Sequence, residues 1–212
     1  MQHNYGETTI DRFLTELSSD APTPGGGSVA ALSGAMAASL VSMVCNLTIG
    51  KEKFAEYEQE IKDILEEALK LRERLLSAVE EDIQAYNSLV TCYRLPKATP
   101  QEKEERRKRI QAALKNATDV PYRTAEACYR VLELNRRLPQ IGNPNAVSDV
   151  AVSAHLAEAA VQSALYNVDI NCSYIKDDTY VQNYQKRRVA LSQQAETTKE
   201  TVLAAVQAVL HA

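Results

Sequence analysis

The 212-residue chain has no tryptophan, only two phenylalanines and only three histidines, His3, His155 and His211. Its four cysteines, Cys45, Cys92, Cys128 and Cys172, stand far apart and form no C-x-x-C pair. Ligand number and spacing therefore exclude a structural zinc site. Each cysteine falls in a helix-like apolar segment, the pattern of reduced thiols in the core of a cytoplasmic protein. Basic excess is missing too: a formal net charge of −4 argues against a nucleic-acid-binding surface. No secretory signal is expected, because the start MQHNYGETTID is polar and acidic where a signal is basic and then apolar. Glycine is scarce, and four of the seven lie within 25–34.

Hydrophobic residues make up 45% and charged residues 25%, the balance of a globular protein, and this length buries a core without staples. A single domain over 1–212 is expected. The stretch 21–50 carries no charge, and Ser28–Ile49 is long enough to span a bilayer. It is built mainly of Ala, Ser and Gly, however, which reads better as a central helix buried on all sides than as a membrane span.

Strand-like alternation persists nowhere, and the whole chain reads as helix. A short amphipathic helix over Thr9–Ser19 places Ile10, Phe13, Leu14 and Leu17 on one face. Pro22-Thr-Pro-Gly-Gly-Gly27 stops it, and Ser28 is the expected N-cap of an uncharged helix to Ile49, closed by Gly50. A helical stripe runs from Glu52 to Tyr93. Thr99-Pro100-Gln101-Glu102 is a capping box opening the next helix, which Pro121 is expected to kink or restart before Leu138. Ala146–Ile175 reads as a second small-residue helix and Thr179–Leu210 as the last. The expected fold is an all-α bundle of long antiparallel helices, with the two Ala/Ser-rich helices central and partly shared in a homodimer. A bulky charge at Ala37 is then expected to weaken association.

Three places carry candidate chemistry. Gly25-Gly26-Gly27-Ser28 opens a helix, so free N–H groups and the positive dipole end meet a loop that a ligand can approach closely; a plain linker is the competing reading. On that ligand reading, Gly26→Val is expected to weaken binding. Asp82 lies about 20° from Leu75 and about 40° from Tyr86 around its helix, on the inward stripe. A carboxylate there is either satisfied by a neighbour or poised as a general acid or base. Ser148 and Asp149 open the second small-residue helix, and Asn167 and Asn171 sit one turn apart near its end. Asp149 and Asn167 share a face but are about 27 Å apart, so either Ser148 and Asp149 are only a helix cap or the two groups serve different ends of a groove, shared across a dimer. The run Lys103–Arg109 mixes signs and reads as a solvated face.

Pro24-Gly-Gly-Gly-Ser-Val-Ala30, Asp82-x-x-Ala-Tyr86, Arg94-Leu-Pro-Lys-x-Thr-Pro-x-Glu-Lys103, Ser148-Asp149 and Asn167-Val-x-Ile-Asn171 occur in this order. Together they resemble the cyclodeaminase domain of formiminotransferase-cyclodeaminase and the stand-alone methenyltetrahydrofolate cyclohydrolases similar to it, over about 8–205. The resemblance implies an all-helical, dimeric enzyme of folate one-carbon metabolism with no metal or redox cofactor; that no membrane partner is expected follows from the composition of 21–50. It gives the acid/base role to Asp82 and a folate-binding role to the glycine turn and the Ser148-Asp149 helix start. Lys51 is a candidate for a ligand carboxylate. Hydrolysis of 5,10-methenyltetrahydrofolate, cyclisation of formiminotetrahydrofolate with loss of ammonia, and a non-catalytic folate- or protein-binding dimer all stay open. For the second, a separate formiminotransferase is expected to supply the formimino group.

Overall fold

Thr99-Pro100-Gln101-Glu102 does locally what its pattern dictates. The Glu102 N–H donates to Thr99 Oγ1 at 3.1 Å and the Thr99 N–H to Glu102 Oε2 at 2.9 Å, launching a 35-residue helix. The computed structural model describes residues 5–211; His3 and the polar start before Tyr5 lie outside them. Seven α-helices follow in order: α1 Ile10–Leu17, α2 Gly26–Asn46, α3 Glu58–Tyr93, α4 Pro100–Leu134, α5 Leu138–Ile141, α6 Val147–Cys172 and α7 Asp178–Leu210. Among the described residues there is no strand.

Several boundaries move for physical reasons. Ser28 is not the N-cap of α2: Gly25 is, and Ser28 is its third residue, side chain turned elsewhere. The residues after Asn46 tighten into turns and reverse at Gly50, whose φ of +78° suits glycine. Glu52–Tyr57 is a 3-10 segment rather than the start of α3. Pro121 neither breaks nor restarts α4, which runs through it. On α1 only Phe13 is buried; Ile10 and Leu14 stay exposed.

Alanines and glycines along α2 let α3 and α6 lie close against it. Gly34 is one such point: a Cβ there would meet Cys128 Sγ at 2.5 Å. The pair α2/α6 is antiparallel. Asn143, just before α6, donates its N–H to Thr48 Oγ1 at 2.9 Å beyond the far end of α2, whereas Asn167 near the end of α6 lies beside Gly26. Ser153 on α6 donates to the Ala37 carbonyl at 2.9 Å, inside the protomer. Ala37 is therefore a core residue and not a contact for a second chain.

The uncharged α2 is long and apolar enough to cross a bilayer, yet most of it is buried against its neighbours. It is not enclosed on every side: Met36, Met43 and Leu47 stay exposed along one stripe. On α6, Val152, Tyr166 and Ile170 do the same. Cys45, Cys128 and Cys172 are buried free thiols, with Cys45 and Cys128 pushed up to about 12 by burial; Cys92 is only half-buried.

Candidate active site

Residues three and four apart on a helix share a face, and α3 uses this to bring Asp82, Tyr86, Leu89 and Tyr93 to one wall of a cleft of about 420 Å³. The start of α2, Gly25–Gly27, forms a second wall, and Asn167, Ile170 and Asn171 of α6, with Tyr174 just beyond its end, a third. Leu114 and Ala117 of α4 close the floor. Asp82 is the only carboxylate among the lining residues, and no histidine, lysine or arginine joins it.

The position of Asp82 is fixed by the glycines. Ser28 Oγ donates to Asp82 Oδ2 at 2.9 Å, and the Ser28 backbone N–H also bonds the carboxylate. A Cβ on Gly27 would lie 2.1 Å from Asp82 Oδ1, so the carboxylate occupies the space a side chain would need. Asp82 thus caps α2 from another helix, where Gly25 has no side chain to do so. Burial is the largest influence on its carboxyl and raises its pKa above the usual aspartate value; the two Ser28 hydrogen bonds pull the other way. A carboxylate held against donors on one edge and open to a cleft on the other can take and return a proton.

Gly26 needs no special backbone, and a Cβ there would meet Asn167 Nδ2 at an ordinary 3.7 Å. The steric demand inside the protein falls on Gly27 instead, while Gly26 lines the cleft that a ligand would approach. The amides are oriented: Asn167 Nδ2 donates to the Ser163 carbonyl at 2.9 Å and Asn171 Nδ2 to the Ala117 carbonyl at 2.6 Å.

The structure thus brings Gly25, Gly26, Gly27, Asp82, Asn167 and Asn171 to one cleft, with Ser28 buried behind the carboxylate. It does not bring Lys51, Ser148 or Asp149 there. They lie at the other ends of α2 and α6, on the order of 30 Å away at 1.5 Å per residue. Tyr93 and Tyr174 at the cleft were not singled out from the sequence, because tyrosine at helical spacing reads as core. Their registers carry the signal: Tyr93 is eleven residues after Asp82, and Tyr174 seven after Asn167. The run Lys103–Arg109 is solvated as expected, with Arg107–Glu104 and Arg109–Glu105 pairs on its surface.

Comparison with known proteins gives the same picture. A family model described as formiminotransferase-cyclodeaminase matches residues 9–190. A methenyltetrahydrofolate cyclohydrolase of Methylorubrum extorquens is 42% identical over 93% of this chain and 95% of its own. The formimidoyltransferase-cyclodeaminase of Rattus norvegicus is 31% identical over 95% of this chain, which spans only 37% of that longer protein. A crystal structure of formiminotetrahydrofolate cyclodeaminase from Thermotoga maritima superposes with a TM-score of 0.87 at 27% identity, covering 97% of this chain and 98% of that one.

Proposed function

We propose a folate reaction for this cleft from one premise: the chain belongs to the formiminotransferase-cyclodeaminase family. It is an enzyme of the kind that family contains, a methenyltetrahydrofolate cyclohydrolase or a formiminotetrahydrofolate cyclodeaminase. The first is the leading reading: hydrolysis of 5,10-methenyltetrahydrofolate to 10-formyltetrahydrofolate. What carries it is Asp82, the one carboxylate in the cleft, desolvated and fixed over the start of α2.

Water adds to the carbon bridging N5 and N10 while Asp82 takes one of its protons. The resulting tetrahedral carbon loses its bond to N5, the electron pair stays on that nitrogen, and the hydroxyl proton ends there. The proton held by Asp82 leaves to solvent, so charge and atoms balance. The carbon keeps its oxidation level throughout, and the step calls for neither a redox cofactor nor a metal.

The 42% identity to a cyclohydrolase, against 31% to the rat bifunctional protein and 27% to the Thermotoga enzyme, favours this reaction. Similar length does not decide it, because the Thermotoga chain matched almost end to end carries the cyclodeaminase name. In that second reading N10 attacks the formimino carbon, Asp82 protonates the departing ammonia, and a separate formiminotransferase supplies the formimino group. Both reactions pass through a carbon between two nitrogens. A spectrophotometric assay on methenyl- and formiminotetrahydrofolate, following loss or gain of the methenyl chromophore, separates them. Turnover of neither overturns the proposal.

The working unit in this reading is a cytoplasmic homodimer. The support is the uncharged stripe of Met36, Met43 and Leu47 beside Val152, Tyr166 and Ile170 on the antiparallel α2/α6 pair. A two-fold axis across that pair would carry the partner's Lys51, Ser148 and Asp149 toward the cleft they cannot reach within one chain. The reduced cysteines suit a cytoplasmic setting.

A further inference from the structure

We infer that Pro121, outside the cleft, is a positioning residue that fixes which end of the Asn171 carboxamide the ligand meets. Proline has no N–H, so inside a helix it leaves the carbonyl four residues earlier without its usual donor. In α4 that carbonyl belongs to Ala117, on the cleft floor. Asn171 Nδ2 supplies the missing donor at 2.6 Å from a different helix. A carbonyl only accepts, so this bond admits one orientation of the amide: nitrogen toward α4. The other end, Oδ1, is then left as an acceptor for the cleft that Asn171 lines. One turn earlier, Asn167 commits its own Nδ2 to the Ser163 carbonyl at 2.9 Å. Two amide oxygens at one-turn spacing suit a ligand edge carrying N–H donors. This rests on the folate reading only in so far as the reduced pterin ring offers such an edge.

An interior proline weakens a helix, and without a use for the freed carbonyl Pro121→Ala would simply improve the protein. The restored N–H would compete with Asn171 for the Ala117 carbonyl, freeing the amide to rotate. We expect Pro121→Ala to raise Tm and also to raise KM about three- to tenfold, with kcat within about twofold, since a ground-state hydrogen bond to substrate is lost. A raised Tm with unchanged KM overturns the inference. The second arm needs no substrate: Asn171→Leu should lower Tm clearly in the otherwise wild-type protein, where it strands the Ala117 carbonyl, and much less in a Pro121→Ala background. Equal losses in both backgrounds also overturn it. Should the wild-type enzyme turn over neither folate, the functional reading falls while the thermal cycle still decides whether Pro121 and Asn171 are linked.

Discussion

Replacing the Asp82 carboxylate by an amide keeps its size and its ability to accept from Ser28, but ends proton exchange. Asp82→Asn should therefore fold normally and lose about 10²–10⁴ in activity, measured by the methenyl assay; activity within a few-fold of wild type would remove Asp82 from the mechanism. The variant should also be at least as stable at neutral pH. Burial raises the pKa of Asp82 above 3.8, so its contribution to stability is fully present below that value and lost as pH climbs through the folded pKa. The amide has no proton to lose, and the Tm advantage of Asp82→Asn should grow upward from about pH 4 and then level. Gly27→Ala tests the same spot sterically. Its Cβ would lie 2.1 Å from Asp82 Oδ1, and displacing the carboxylate by about 1 Å should cost on the order of 10² in rate. Gly26→Ala, with ordinary contacts, should be near-neutral in the same assay. Asp82 was legible in the sequence because helical periodicity alone puts it among apolar neighbours. The role of Ser28 was not, because the group it serves comes from 54 residues away.

At the scale of elements, the order of six of the seven helices could be read from caps and stripes, and α4 starts at its capping box; the four-residue α5, Leu138–Ile141, was not read as a separate helix. What could not be read is where helices approach one another. Gly34 looks in sequence like one more small residue of α2, yet its missing side chain is what admits Cys128 of α4. Gly34→Ala should destabilise by about 1–3 kcal/mol through overpacking, despite alanine's better helix propensity. Adding Cys128→Ala should recover part of that loss, the pair costing less than the sum of the singles in denaturant unfolding. Strict additivity would mean the two do not touch. The continuous α4 was equally hidden: periodicity sees the proline but not the distant amide that satisfies the carbonyl beneath it.

For the whole molecule, composition correctly marked α2 and α6 as unusual but did not say which faces they leave open. The buried Ala37 and the exposed Met43 are six residues apart on the same helix, and only packing against α3 and α6 distinguishes their roles. Met43→Glu should dissociate the proposed dimer and lower activity with it; light scattering showing a fully active 23.4 kDa monomer would refute the assembly. The two groups of polar residues at opposite ends of α2 and α6 carry a genetic consequence. If each site draws on both chains, then Asp82→Asn and Asp149→Asn, each inactive alone, should complement one another. Mixed and allowed to exchange subunits, half the dimers would be hybrids and each hybrid would hold one intact site, returning about a quarter of wild-type activity from two dead proteins. If the site were complete within one chain, Asp149→Asn would stay active alone and mixing would add nothing.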